Sequence, residues 1–148
     1  MIQFQVSTRH TGEYRRVKVM VYDTIDELKR ATRRRDGQYK NAGAVQTPAW
    51  YDQMAATTNY IEMAQLSADI EPKSSDWQPY ITIRLALDKL KQYPTEIITH
   101  ECTHAAIFLF RRDVKRSLAR IQDQETLCYL VGELSRKVVN KLYEKKLV

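Results

Sequence analysis

Cysteine and histidine are scarce in this chain of 148 residues, and long apolar runs are missing altogether. Two cysteines, Cys102 and Cys128, cannot build a disulfide framework and read as small buried thiols, so stability has to come from a packed core. No apolar run approaches the ~20 residues needed to cross a bilayer, which removes the membrane from the expected partners. The opening Met1-Ile-Gln-Phe-Gln-Val carries neither the basic flank nor the apolar stretch of a secretory leader, so the cytoplasm is the expected location. Zinc-finger cysteine spacing, a Gly-rich phosphate loop, internal repeats and low-complexity tracts are also missing.

What is present is an ordinary globular composition, 43% hydrophobic and 28% charged, at a length that suits one domain with a sizeable core. The net charge of +6 is uneven. Residues 1–40 and residues 111–148 each carry ten Lys and Arg against five acids, while residues 41–110 carry four against eight. A basic shell can mean nucleic acid, but Arg33-Arg34-Arg35 closing a helix and Lys145-Lys146 near a chain end also fit a solvated surface that favours helix C-termini. The charge pattern alone does not favour nucleic acid, and the oligomeric state stays open.

Alternation of apolar and polar residues over 2–7 and again over 15–22 predicts a β-hairpin, with His10 exposed in its turn. Thr24 with Glu27 forms a capping box for a helix from Ile25 to about Arg35, ended by Asp36-Gly37. Residues 37–57 read as a loop or lid, with a short strand near Ala44–Gln46 and with Trp50 and Tyr51 either lining a cleft or anchoring the loop to the core. A strand over Asn59–Leu66 and a surface connection over Glu71–Pro79 follow. The clearest strand is Tyr80–Leu87, with Ile81, Ile83, Leu85 and Leu87 on one face. A helix capped by Thr95 then runs to about Arg112, and a last helix runs from about Asp123 to Lys145 with its core stripe on Leu127, Leu130, Val131, Leu134, Val138 and Leu142. The fold class expected is α+β: a small, mainly antiparallel or mixed sheet against these two helices. Residues 1–36 supply hairpin and helix, 37–79 the loop or lid, and 80–148 the strand and the two long helices.

The first of those helices holds the one stretch with a chemical signature, His100-Glu101-Cys102-Thr103-His104. Residues i and i+4 lie on one helical face, so two imidazoles can share a metal, while Glu101, one step round, can reach a water on its open side. With three histidines and nine glutamates in the chain, chance would produce His-Glu-x-x-His about 0.002 times, so the pattern is informative. Cys102 points away from the metal face. A catalytic zinc needs a third protein ligand and keeps its fourth position for water. No histidine lies downstream, because positions 107 and 110 are Ile and Phe, so the third ligand is sought among Asp113, Asp123, Glu125 and Glu133. Asp113 is too near its own helix end, Asp123 serves as a helix N-cap, and Glu133 lies two turns deep. Glu125, 21 residues beyond His104, is the preferred choice. Tyr129 one turn on could donate its hydroxyl to the site or to an oxyanion, and Gly132 would let the two helices approach closely.

These residues resemble the gluzincin class of zinc metallopeptidases, and the run Thr95-Glu-Ile-Ile-Thr-His-Glu-Cys-Thr-His-Ala-Ala106 with Asp123-x-Glu125-Thr-Leu-Cys-Tyr-Leu-Val-Gly132 is similar to small phage-encoded proteins of metallopeptidase type. The resemblance covers about residues 78–145. It implies a minimal zincin-like domain in which His100, His104 and Glu125 bind Zn2+, Glu101 is the general base, and the strand Tyr80–Leu87 borders the cleft and pairs with an extended substrate. Many gluzincins carry Asp four residues after the third ligand, and here that place is Tyr129. Two function classes follow: a zinc-dependent hydrolase cleaving a peptide or protein substrate, or a catalytically inactive zinc-stabilised binding module for a protein or nucleic-acid partner.

Overall fold

The computed structural model describes residues 1–38, 46–54, 56–60 (backbone alone at 59 and 60) and 81–148. Nine elements follow in order: β1 Ile2–Thr8, β2 Arg15–Tyr22, α1 Ile25–Gln38, α2 Pro48–Gln53, β3 Ala56–Tyr60, β4 Ile81–Ala86, α3 Leu87–Leu90, α4 Pro94–Asp113 and α5 Ile121–Glu144. The class is α+β, with a four-stranded mixed sheet in the order β1-β2-β4-β3. The hairpin β1–β2 is antiparallel, β2 and β4 run parallel, and β3 lies antiparallel to β4.

Register decides which side chains meet which helix. Val17, Val19 and Val21 of β2 lie beside Ile81, Ile83 and Leu85 of β4, and all six are buried in one core with Val6 of β1. Helices α4 and α5 cover that face, adding Ile97, Ile98, Cys102, Ala105 and Leu109 from α4 and Leu130, Leu134, Val138 and Leu142 from α5. The opposite face presents Tyr22 and Ala86 to a smaller core with Leu28 of α1 and Tyr51 and Met54 of the α2 segment. That second face is covered toward the Tyr22–Ala86 end, while Arg16, Lys18 and Met20 of β2 and Thr82 of β4 stay partly exposed.

Several boundaries differ from expectation. The strand expected over Tyr80–Leu87 is Ile81–Ala86 and lies between β2 and β3, so it is not an edge; among the described residues the edge on that side is β3. Its apolar face is as expected through Leu85, but Leu87 already opens α3, and Tyr80 lies outside the described residues. Helix α1 continues past Gly37, because Asp36 is buried and accepts a 2.7 Å hydrogen bond from the Tyr51 hydroxyl. Half of the expected capping box is present: Glu27 N–H donates to Thr24 Oγ1 at 3.3 Å, while the Glu27 carboxylate accepts from Asp23 N–H, one residue before the cap. The expected loop over 37–57 contains helix α2, begun by Pro48 and capped by Thr47, whose Oγ1 accepts from Trp50 N–H. The expected strands at Ala44–Gln46 and Asn59–Leu66 fall partly, and the connection Glu71–Pro79 wholly, outside the described residues; β3 runs over Ala56–Tyr60.

Helix α4 starts at Pro94 with Tyr93, not Thr95, as its cap, since proline at the first helical position loses no hydrogen bond that the helix would have made. Helix α5 begins at Ile121, so Asp123 sits inside the first turn instead of capping it. Gly132 is exposed and a Cβ there would meet nothing within 4 Å, so it serves no close helix approach. The two cysteines part company: Cys102 is fully buried and Cys128 exposed. Among the described residues no helix is long and apolar enough to cross a membrane.

Candidate metal centre

Helix α4 is held by its apolar face, which leaves His100 and His104 on the outward side, one turn apart. Their Nε2 atoms lie 3.2 Å from each other, with the rings at 72°. Two nitrogens bound at 2.0–2.1 Å to one tetrahedral zinc stand about 3.3 Å apart. The pair is therefore spaced as a bidentate ligand would be. His104 also stacks on Phe108, ring centroids 6.3 Å apart, which limits the freedom of its imidazole. The side chain of His100 is 65% exposed, so an ion has open access from solvent.

Glu101 turns inward instead. Its side chain is 7% exposed, with Oε1 4.0 Å from His100 Nε2. Burial raises its carboxyl above the ordinary range, opposed by the hydrogen bond from Thr58 and by the two imidazoles. Thr58 Oγ1 donates to Glu101 Oε2 at 2.7 Å and also lies 3.0 Å from the Glu101 carbonyl oxygen. The sheet delivers that hydroxyl: Thr58 pairs with Ile83, so both side chains point to the α4 face. Thr58 was not singled out among the candidate residues of the sequence. A Thr in a polar stretch carries no chemical signature until the strand register is known. At the next residue of α4, burial pushes the Cys102 thiol up to about 12, which makes it an inert packing residue.

A cleft of about 510 Å³ opens over these groups. His100, Glu101, His104, Thr58 and Glu96 form its polar side, and Trp50, Met54, Ile97 and Phe108 its apolar side. The aromatic pair expected near position 50 divides its roles. Tyr51 is the anchor: it is 4% exposed, is bonded to Asp36, accepts from Gln46 N–H at 3.2 Å, and carries the Arg33 guanidinium over its ring. Trp50, 40% exposed, stands edge-on to Tyr51 and lines the cleft.

The four carboxylates proposed for the third ligand lie in different surroundings. Asp113 receives a bidentate pair from Arg15 and a 2.6 Å bond from Thr11 Oγ1. Burial alone would raise its carboxyl, but those donors hold it below the ordinary range. Asp123 is buried and paired with Arg116 at 2.9 Å. Glu133 accepts from Thr8 at 2.6 Å, faces His10 at 3.2 Å and pairs with Lys137 at 2.7 Å; burial is again outweighed, and its carboxyl is lowered. Glu125, exposed on the first turn of α5, is the one of the four that makes no hydrogen bond or ion pair among the described residues. It does not meet the imidazoles either: no cluster of three His, Cys, Asp or Glu side chains able to hold a metal forms among the described residues. Tyr129 is 61% exposed and stacks on His10, ring centroids 5.7 Å apart. The structure thus brings His100, Glu101 and His104 together around one cleft and leaves Glu125 and Tyr129 outside its lining. Family models, curated proteins and solved structures give no match to this chain.

Proposed function

We propose that the chain is a zinc-dependent hydrolase of zincin type, acting on a peptide or other amide bond. The observation that carries this reading is the 3.2 Å imidazole pair beside a buried carboxylate on the same wall of an open cleft. His100 and His104 would hold Zn2+. Glu125 is kept as the proposed third ligand because the other three candidate carboxylates are engaged elsewhere, and since it does not meet the imidazoles in this structure it would have to close on them as zinc binds. Bound zinc would supply Lewis-acid polarisation and a water of lowered pKa.

The chain's own groups do the remaining work. Glu101 takes a proton from the attacking water and returns it to the departing amine nitrogen, and burial, which raises its carboxyl, favours its taking up that proton. An extended substrate would lie along β3, the strand that carries Thr58 into the site, and not along β4, which is paired on both sides. Trp50, Met54 and Phe108 would meet its apolar side chains.

The expected result is that Glu101→Gln keeps zinc but loses turnover by about 10²–10⁴-fold in a proteome-derived peptide digest run with and without chelator. Full activity in that variant sinks the assigned role. A second reading, a zinc-stabilised binding module without catalysis, is favoured by one observation: two imidazoles converge without a third ligand among the described residues. No zinc-dependent cleavage by wild type, together with tight salt-sensitive binding to a protein or nucleic acid, would establish that reading instead.

A further inference from the structure

A glutamate on a helix has several side-chain rotamers, and a general base works only when one of them is held to within about 0.5 Å. Among the described residues, helix α4 gives the Glu101 carboxylate no hydrogen bond, only the His100 imidazole 4.0 Å away. The neighbouring strand does. Thr58 Oγ1 lies 2.7 Å from Oε2 and 3.0 Å from the backbone carbonyl of the same residue, so one hydroxyl spans the two ends of the Glu101 side chain. The other oxygen, Oε1, faces the imidazoles, 4.0 Å from His100 Nε2.

We propose that Thr58 is a positioning residue for Glu101: it occupies Oε2 and so leaves Oε1 as the oxygen that receives a proton from the cleft. The inference rests on the hydrolytic reading above. A hydroxyl has one proton to give and two lone pairs. Toward the carboxylate it donates to Oε2, and that bond is charge-assisted. When Oε1 carries the proton, the same donor remains on Oε2, and the Glu101 carbonyl at 3.0 Å is an alternative acceptor as the hydroxyl turns. The side chain is therefore held before and after proton uptake. The proton that reaches Oε1 from water leaves it for the amine nitrogen, and the hydroxyl of Thr58 is neither consumed nor altered.

The register makes the assignment selective. Thr57, one residue earlier, alternates to the opposite face of the strand, so of the two threonines Thr58 is the one that reaches Glu101.

The test compares Thr58→Val, nearly isosteric without a hydroxyl, and Thr58→Ser, which keeps it, on labelled casein with zinc present. Valine is expected to lower kcat about 10²-fold with KM and zinc content unchanged, and serine to recover most of the loss. Wild-type kcat in the valine variant, or serine as impaired as valine, overturns the proposal. A second measurement needs neither substrate nor metal. In the zinc-free protein, Thr58→Val is expected to lower the melting temperature by about 3 °C or more, and to have a clearly smaller effect in a Glu101→Ala background, where only the bond to the backbone carbonyl remains. Equal losses in both backgrounds overturn the contact itself. A wild type that cuts no casein while this coupling persists overturns the hydrolytic reading and the positioning role with it, but not the contact.

Discussion

The zinc reading can be tested by stability before any substrate is known, because the three residues assigned to the metal are exposed and those that hold the fold are not. An ion bound only by the folded chain stabilises it by about 2.7 kcal/mol at 100 times its dissociation constant. A domain of this size gains about 2–4 °C per kcal/mol, so saturating zinc is expected to raise the melting temperature by about 5–11 °C over the chelated protein. His104→Ala removes one of the two nitrogens at 3.2 Å. Its ring lies on the exposed side of α4, so without metal the variant is expected to melt within about 2 °C of wild type. Its zinc response is expected to vanish. Glu125→Ala is the sharper case. The side chain is exposed and makes no hydrogen bond or ion pair among the described residues, so its removal costs the apo protein little. A 100-fold loss of affinity at the same zinc concentration would leave about 0.4 kcal/mol of stabilisation.

Asp123→Ala is the control of opposite behaviour. Asp123 is 2% exposed and holds Arg116 through both carboxylate oxygens, so its loss is expected to cost about 1–3 kcal/mol with the zinc response intact. Differential scanning fluorimetry in zinc and in chelator, with metal content measured on dialysed protein, reads all four proteins. A wild type unmoved by zinc, or a His104→Ala protein that responds equally, refutes the metal pair. A zinc response lost only in Asp123→Ala refutes the choice of Glu125.

Two further outcomes are expected. Tyr51→Phe leaves Asp36, 2% exposed, without the 2.7 Å hydroxyl donor, and is expected to cost about 1–3 kcal/mol in urea unfolding and to change the fluorescence of Trp50 as α2 loosens; an unchanged midpoint would count against α2 being anchored through that bond. Asp113 and Glu133 have folded carboxyls below their ordinary values, so the unfolded chain takes up protons first, and their stabilisation is complete above the ordinary carboxylate range and lost as pH falls through the lower folded values. Asp113→Asn is therefore expected to be less stable than wild type at pH 7 and to show a shallower loss between about pH 5 and pH 2 in thermal scans; parallel curves would exclude the Arg15–Asp113 pair as the acid-sensitive contact.

The parts of this molecule that were legible in the sequence are those whose cause is local. Period-two alternation placed β1 and β2, the Leu130–Leu134–Val138–Leu142 stripe placed α5, and i,i+4 spacing put His100 and His104 on one face, because each depends on residues within one element. Helix α2 was missed because its six residues are too few to show a period, and it stands through Tyr51 reaching Asp36, 15 positions away. The status of β4 was misjudged for a related reason. Its alternation reports which side chains face the helices and is silent on how many strands flank it, so an inner strand and an edge strand read alike.

The carboxylates show the same limit from the side of chemistry. The sequence set Asp113, Asp123 and Glu133 aside for Glu125 on helix position alone, and what engages Asp113 and Glu133 in the structure is distant cations and hydroxyls. Arg15 lies 98 positions from Asp113, and Thr8 lies 125 from Glu133. Such partners arrive only with the sheet order, since the β1–β2 hairpin must lie against the end of α4 and the middle of α5 before Arg15, Thr11 and Thr8 can claim those groups. Thr58 belongs to this class. Its hydroxyl meets Glu101 because β3 pairs with β4 in one register, and a slip of one residue would turn it to the other face. The His-Glu-x-x-His stretch therefore specifies where a metal could sit, while the placement of its carboxylate is decided by a strand some 40 residues upstream that carries no motif.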